Sequence, residues 1–231
     1  MLISAGPTRE PVDPVRFLSN YSTGYMGAQL AAEAVRRRHH VVVVSGPGGE
    51  PLPPAARVLP VETANDMARA LQAQAQRADA IIMAAAVADF RPTRRSLTKL
   101  TRGAGMTLQL EPTPDVIAEL PRRPRQVVVG FALETDQVLA RARAKLVAKR
   151  LDLLVAQQTG GRDVPAGSPF GRRPVRAWLL EAERAAGPRA GRVVVSRLGR
   201  LSKPILARVL LDKIEALWYG QPDPLQAAHA T

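Results

Sequence analysis

Runs of consecutive apolar residues alternate along this chain with stretches whose apolar positions fall three and four apart, the patterns of buried strands and amphipathic helices. Met1–Ser4, His40–Gly46 (HVVVVSG), Arg57–Glu62 (RVLPVE), Asp79–Phe90 (DAIIMAAAVADF), Gln126–Thr135 (QVVVGFALET) and Leu151–Gln157 (LDLLVAQ) read as strands. The β-branched run at 40–46 suits a strand covered on both faces. The 79–90 strand is expected to run into a loop at Asp89, and the 126–135 strand to end in a Gly130-Phe131 turn. Met106–Glu111 alternates like a strand, and Pro174–Ala182 and Arg192–Leu198 are two further candidates. Helices are predicted over Gly24–Arg38, where Met26, Leu30, Ala31, Ala34 and Val35 share a face, and over 63–76 behind a capping Thr63. Others are predicted over Thr113–Leu120, over Asp136–Arg150 and from Ser202 to near Trp218.

Strands alternating with helices predict an α/β fold: a Rossmann-like, mostly parallel sheet with helices on both faces, plus a small β extension. One domain is expected over 1–220, with a frayed tail over 221–231. The 91–105 stretch reads as a mobile basic loop, and it and 157–173 are the weakest points of the pattern. Ligands in such folds sit beyond the carboxyl ends of the strands. Those ends are Gly6-Pro7-Thr8, Ser45-Gly46-Pro47, Ala86–Phe90 and Gly130–Glu134.

Composition narrows the chemistry. With 46% hydrophobic residues and only 4% aromatic, the core must be built from Val, Leu, Ile and Ala. The chain has no Cys, so it offers neither thiolate ligand nor thiol nucleophile. No apolar run reaches membrane-span length and no signal-peptide pattern opens the chain, so a cytoplasmic protein without membrane partners is expected. The net charge of +13 invites an anionic ligand. The Arg residues are spread along the chain without interleaved aromatics, which favours small anions over nucleic acid. Of the 33 basic residues only five are Lys, at 99, 145, 149, 203 and 213.

Ser4–Gly27, SAGPTREPVDPVRFLSNYSTGYMG, is the unusual stretch. Strand-to-helix loops usually take about two to six residues; this one is several times longer and rich in Gly, Pro, Ser and Thr. Gly24 and Gly27 flank the start of a helix, where free amides favour phosphate. Close packing of that helix on a strand explains Gly27 equally well. Hydride transfer lacks its residues: the second strand ends Val44-Ser45-Gly46 without an acid for a ribose, and no Tyr is followed four positions on by Lys. Asp89 at a strand end suits either a turn cap or Mg²⁺ held beside phosphates. Lys99 suits either a solvated surface or charge building on a transferred phosphoryl group.

GPTREPVDPVRFLSN-x-S-T-G-x-MG, then VSGP, AAAVADF-RP and GFALET, resembles phosphopantothenate–cysteine ligase, the synthetase half of the bifunctional coenzyme A enzyme, over roughly residues 2–215. The resemblance implies activation of the 4′-phosphopantothenate carboxylate with CTP, or ATP, as an acyl-nucleotidylate. Amide formation with L-cysteine follows. It also implies Mg²⁺, a homodimer and, since the chain starts at the ligase motif, a separate phosphopantothenoylcysteine decarboxylase. By the same resemblance Asn20, Lys99 and Arg16 are catalytic. Gly6, Thr8, Ser22, Thr23, Gly24, Ala88, Asp89, Phe90, Lys99, Arg102, Gly130, Phe131 and Ala132 bind the nucleotide, and Asp89 the metal.

The match departs at four places. The family's Lys-x-Lys-Lys is Lys99-Leu100-Thr101-Arg102 here; its Ala-Asn-Asp is Ala156-Gln157-Gln158; Arg172-Arg173-Pro174 replaces a Ser-Asp-x-Asn; and Tyr25 replaces a Lys. Arg is no neutral substitute for Lys. Besides the active ligase, two alternatives are a non-catalytic nucleotide- or phosphopantothenate-binding paralogue and, on the sheet alone, an NAD(P)-dependent reductase.

Overall fold

A computed structural model describes residues 1–103, 105–159, 170–183 and 192–220. The expected tail at 221–231 and most of the 157–173 stretch lie outside the described residues. Six parallel strands form the body of the sheet: β1 (Leu2–Ala5), β4 (Val42–Ser45), β5 (Arg57–Pro60), β6 (Ala80–Met83), β9 (Val127–Glu134) and β10 (Leu153–Gln158). Two antiparallel strands, β11 (Val175–Ala182) and β12 (Val193–Leu201), extend its β10 edge, giving the order β12-β11-β10-β9-β6-β1-β4-β5. Strand order reverses beside β1, which opens a crevice at the carboxyl ends.

Both faces are covered, which is why the strands are uniformly apolar. Successive side chains point to opposite faces. Ile3, Val43, Ile82, Val129 and Val155 meet α1 (Tyr25–Arg36) and α4 (Lys203–Tyr219). Their neighbours Leu2, Val44 and Ile81 meet Met67 and Leu71 of α2 (Ala64–Ala75), and Val128 and Leu154 meet Ala142 and Leu146 of α3 (Val138–Ala148). Each buried Val, Leu, Ile or Met among them is worth about 1.5–3 kcal/mol relative to exposure. Thr63 caps α2 in a reciprocal box with Asp66.

Several elements differ from the pattern. The long first loop contains a small hairpin, β2 (Arg9–Pro11) with β3 (Phe17–Ser19). The 79–90 run breaks after Met83: β1 turns away at Gly6 (φ +77°), and only a Pro7–Ala86 bridge continues the pairing. Phe90 then opens a separate strand, β7 (Phe90–Pro92), paired with β8 (Leu110–Pro112). The strand expected over 106–111 is thereby cut to its end. Pro92 has no N–H to offer, and beyond it the chain bends so that Ser96 N–H donates to the Val12 carbonyl at 2.9 Å. Residues 113–120 make turns instead of a helix, because Pro114 and Pro121 leave room for little more than one helical turn. Gly130 sits inside β9, not in a turn.

Candidate functional site

A cavity of about 520 Å³ opens at the carboxyl ends of β6, β9 and β10. One wall is the start of α1. Here Gly24 takes a left-handed φ of +85°, which suits glycine. The Gly24 and Tyr25 N–H groups donate to the hydroxyls of Ser22 and Thr23 at 3.3 Å. Gly27 brings α1 against β1: a Cβ there would stand 2.5 Å from that of Ala5. Opposite are the small residues Ala84, Ala85 and Ala86, then Thr113–Ile117, with Phe131, Ala132 and Leu133 of β9 and Gln157 of β10.

Seven of the residues expected from the sequence line this space: Asn20, Ser22, Thr23, Gly24, Asp89, Phe131 and Ala132. Asn20 is exposed, and its Nδ2 donates to the Ala86 carbonyl at 2.9 Å. The other expected residues stand back from it. Thr8 is fully buried, and its Oγ1 accepts the Ala88 N–H at 2.9 Å, so this pair ties the loops after β1 and β6 together. Gly6 abuts both Gly46 and Gly24. A Cβ on Gly130 would stand 2.6 Å from Leu151 Cδ1, so this glycine serves packing against the α3 side. Phe90 projects outward from β7, 54% exposed.

Arg16, Lys99 and Arg102 lie on two exposed loops outside the cavity lining. Asp13 joins them. Its Oδ1 accepts the N–H groups of Val15 and Arg16, both at 2.8 Å, and its Oδ2 accepts that of Leu100 at 3.1 Å. Burial works against this carboxylate, but the Val15, Leu100 and Arg16 amides outweigh it and hold its pKa below the ordinary value. Arg16 Nη2 completes the clasp on the Leu100 carbonyl at 2.5 Å. The loop carrying Lys99 is thus fastened to the first loop at its middle.

Three lysines line the cavity that the sequence reading left aside: Lys145 and Lys149 on α3, and Lys203 at the start of α4. Lys149 pairs with Asp115 at 3.0 Å. Burial opposes ionisation of that carboxylate, yet the Lys149 hydrogen bond prevails and lowers its pKa. Burial, and then the proximity of Lys149, lowers the pKa of Lys145. Burial pushes Lys203 down to about 8. The signal in the sequence was the choice of Lys in an Arg-rich chain: three of its five lysines meet here. Against them the lining sets two carboxylates, Asp89 and Asp115, and no cluster of three metal-ligating side chains occurs among the described residues. The site suits anions, with Asp89 the carboxylate free to join phosphate oxygens on a hard cation.

The family model for the DNA/pantothenate metabolism flavoprotein C-terminal domain matches residues 1–217. The chain is 44% identical over 175 residues to the coenzyme A biosynthesis bifunctional protein CoaBC of Bacillus subtilis, covering 74% of this chain and 42% of that protein. It is 42% identical over 185 residues to a protein named cysteine/cysteine sulfinic acid decarboxylase from an unknown prokaryotic organism, covering 78% and 50%. The chain therefore spans half or less of these relatives. A crystal structure of the C-terminal domain of a CoaBC protein superposes with a TM-score of 0.73 at 32% identity, covering 95% of both chains. Matched over nearly its whole length and carrying the same sheet, this chain belongs to the DNA/pantothenate metabolism flavoprotein C-terminal domain family.

Proposed function

We propose that the protein is a phosphopantothenate–cysteine ligase. The observation that carries this reading is the convergence, in one cavity, of the Asn20–Gly24 loop, the start of α1 and three lysines. A carboxylate attacking a nucleotide α-phosphate brings two anions together, so the site must hold both and offset their charge. In the first step a 4′-phosphopantothenate carboxylate oxygen bonds to the α-phosphorus of CTP or ATP, the α–β P–O bond breaks and pyrophosphate leaves. In the second step the cysteine amine bonds to the acyl carbon, the acyl C–O bond breaks, and the nucleoside monophosphate and a proton leave.

Under this reading Ser22, Thr23 and Gly24, with Lys145 and Lys149, hold phosphates, and Phe131 and Ala132 flank the nucleotide. Asn20 donates its amide to the acyl oxygen as charge grows there. Lys99 and Arg102 approach the triphosphate on the loop that Asp13 and Arg16 fasten. Asp89 is the residue that would hold Mg²⁺, which would neutralise the triphosphate. The protein acts in the cytoplasm as a homodimer, its product passing to a phosphopantothenoylcysteine decarboxylase. The dimer is supported by apolar side chains exposed on the two small sheets, Phe17, Phe90 and Leu110. No helix among the described residues is long and apolar enough to cross a membrane.

The altered Lys-x-Lys-Lys and Gln157 at the cavity wall favour one other reading, a binding paralogue without catalysis. Pyrophosphate release with 4′-phosphopantothenate and Mg²⁺, comparing CTP with ATP and with or without cysteine, separates the two. Release with one nucleotide followed by cysteine-dependent product is expected. Silence from folded protein with both would overturn the ligase.

A further inference from the structure

Lys203 keeps different company from the other lysines in the cavity. It is only 4% exposed. Its Nζ donates to the Gly171 carbonyl at 2.7 Å and lies 5.9 Å from the centre of the Tyr25 ring. Among the described residues no carboxylate pairs with it: Glu50, the acid whose field reaches it, is engaged by Arg172 at 3.3 Å. Burying an ammonium without a counter-charge is costly. One carbonyl uses one of its three donors, and the side chain lines the cavity beside Gly24, Tyr25 and Met26.

That neighbourhood shares the deficit. Helix α1 has no side-chain N-cap and no acid in its first turn. Its first internal bond is Ala28 N–H to the Gly24 carbonyl at 3.0 Å; the Tyr25 N–H leans on the Thr23 hydroxyl at 3.3 Å, which leaves the amides of Met26 and Gly27 without an acceptor inside the helix. Arg172 adds a second cation, 5.2 Å from the Tyr25 ring centre. Lysine–carboxylate pairing explains Lys149 and Lys213, which bond Asp115 and Glu181. It does not explain Lys203. A group with two or three negative oxygens, presented from the cavity, would satisfy both the ammonium and the helix start.

We propose that Lys203 and the first-turn amides of α1 form a subsite for a terminal phosphate group. The inference rests on the ligase reading only for its two candidate sources, the phosphomonoester of 4′-phosphopantothenate and the triphosphate end of the nucleotide. In neither case does Lys203 touch the reacting atoms; it fixes the far end of a substrate.

Two measurements test it. The first uses the unaltered protein. Burial lowers the Lys203 pKa to about 8, so part of the amine is neutral and nucleophilic at that pH. Reductive methylation, read at residue 203 by peptide mass spectrometry, is compared in the presence of pantothenate, 4′-phosphopantothenate, CMP, CTP and inorganic phosphate. Protection is expected from inorganic phosphate and from one phosphate-extended ligand but not its shorter counterpart, and that pair names the source. The second measurement is calorimetry on Lys203→Met, whose fold is checked by thermal melting. One ratio, pantothenate to 4′-phosphopantothenate or CMP to CTP dissociation constant, should fall at least about tenfold while the other holds. Labelling equal under every probe, with both ratios unchanged in Lys203→Met, overturns the subsite. Inorganic phosphate keeps this independent of the ligase reading, which stands or falls on pyrophosphate release from the parent protein.

Discussion

Asn20 spends its Nδ2 on the Ala86 carbonyl at 2.9 Å, which holds the amide at the cavity's edge. In the proposed second step the same donor turns to the acyl oxygen. Asn20→Asp removes the donor and adds a charge where charge already grows. Acyl-nucleotidylate is expected to accumulate while final product falls about 10²–10³-fold, the usual cost of losing one such donor, as read by quenched-flow chromatography. Turnover equal to the parent would remove Asn20 from that role. At this scale the sequence spoke clearly where residues act through the loop they sit in: Asn20, Ser22, Thr23 and Gly24 fall within five consecutive positions, so their meeting at one wall was legible. Lys145, Lys149 and Lys203 were not. On a helical pattern each reads as a solvated lysine, and only the placement of α3 and α4 against β9 and β10 turns them inward. Thr8 in its loop and Gly130 in its strand lie back from the cavity, against Ala88 and Leu151, and neither position in the sequence says which neighbour it meets.

At the scale of elements, two couplings matter. Asp13 fastens the Lys99 loop through the Leu100 N–H at 3.1 Å, with Arg16 on the Leu100 carbonyl. Asp13→Asn weakens both by removing the charge that draws them together. Tryptic cleavage after Lys99 and Arg102 should quicken, and nucleotide KM should rise several-fold with kcat less affected; unchanged cleavage would show that the loop needs no clasp. The second coupling joins α1 to α4. Glu33, 8% exposed, takes Arg36 at 2.6 Å and Arg37 at 2.8 Å, and Arg37 reaches on to Asp212 and Glu215 of α4. The Arg36 hydrogen bond leads in lowering the Glu33 pKa from 4.5 to about 2. A depressed carboxylate stabilises fully above its unfolded value and loses that contribution as pH falls through the folded one. Urea stability should therefore decline between pH 4.5 and about 2, and Glu33→Gln should flatten the decline. An identical slope in the variant would assign the decline to other carboxylates. Long periodic elements such as α1 and α4 were legible to within a residue or two. The β2–β3 hairpin was not, because strands of three residues carry too little alternation to register.

For the whole molecule, the alternation of strands and helices predicted the layered sheet. It could not give the order of the strands, which depends on how crossovers pack and not on any local signal. That order is what opens the crevice, and the net charge of +13 sets the field around it. The proposed dimer is a prediction at this scale. Sedimentation velocity should give twice 24.9 kDa, and Phe17→Asp, at a ring 46% exposed on the first small sheet, should shift the population toward monomer. A parent that sediments as a monomer at tens of micromolar would rule the dimer out.

Ala84, Ala85, Ala86, Ala132, Gly24 and Gly171 form one part of the cavity lining, so a ligand against them meets peptide groups as well as side chains. Alanine scanning would pass over this part of the surface in silence, since four of the six positions are already alanine. The informative perturbations are steric or atomic: a bulkier residue that fills the space, or an ester bond in place of a single amide, which removes one N–H and leaves the shape unaltered. A tally of mutational effects at this site would then credit the lysines and Asn20 with nearly all of the binding, while recognition written into the main chain went uncounted.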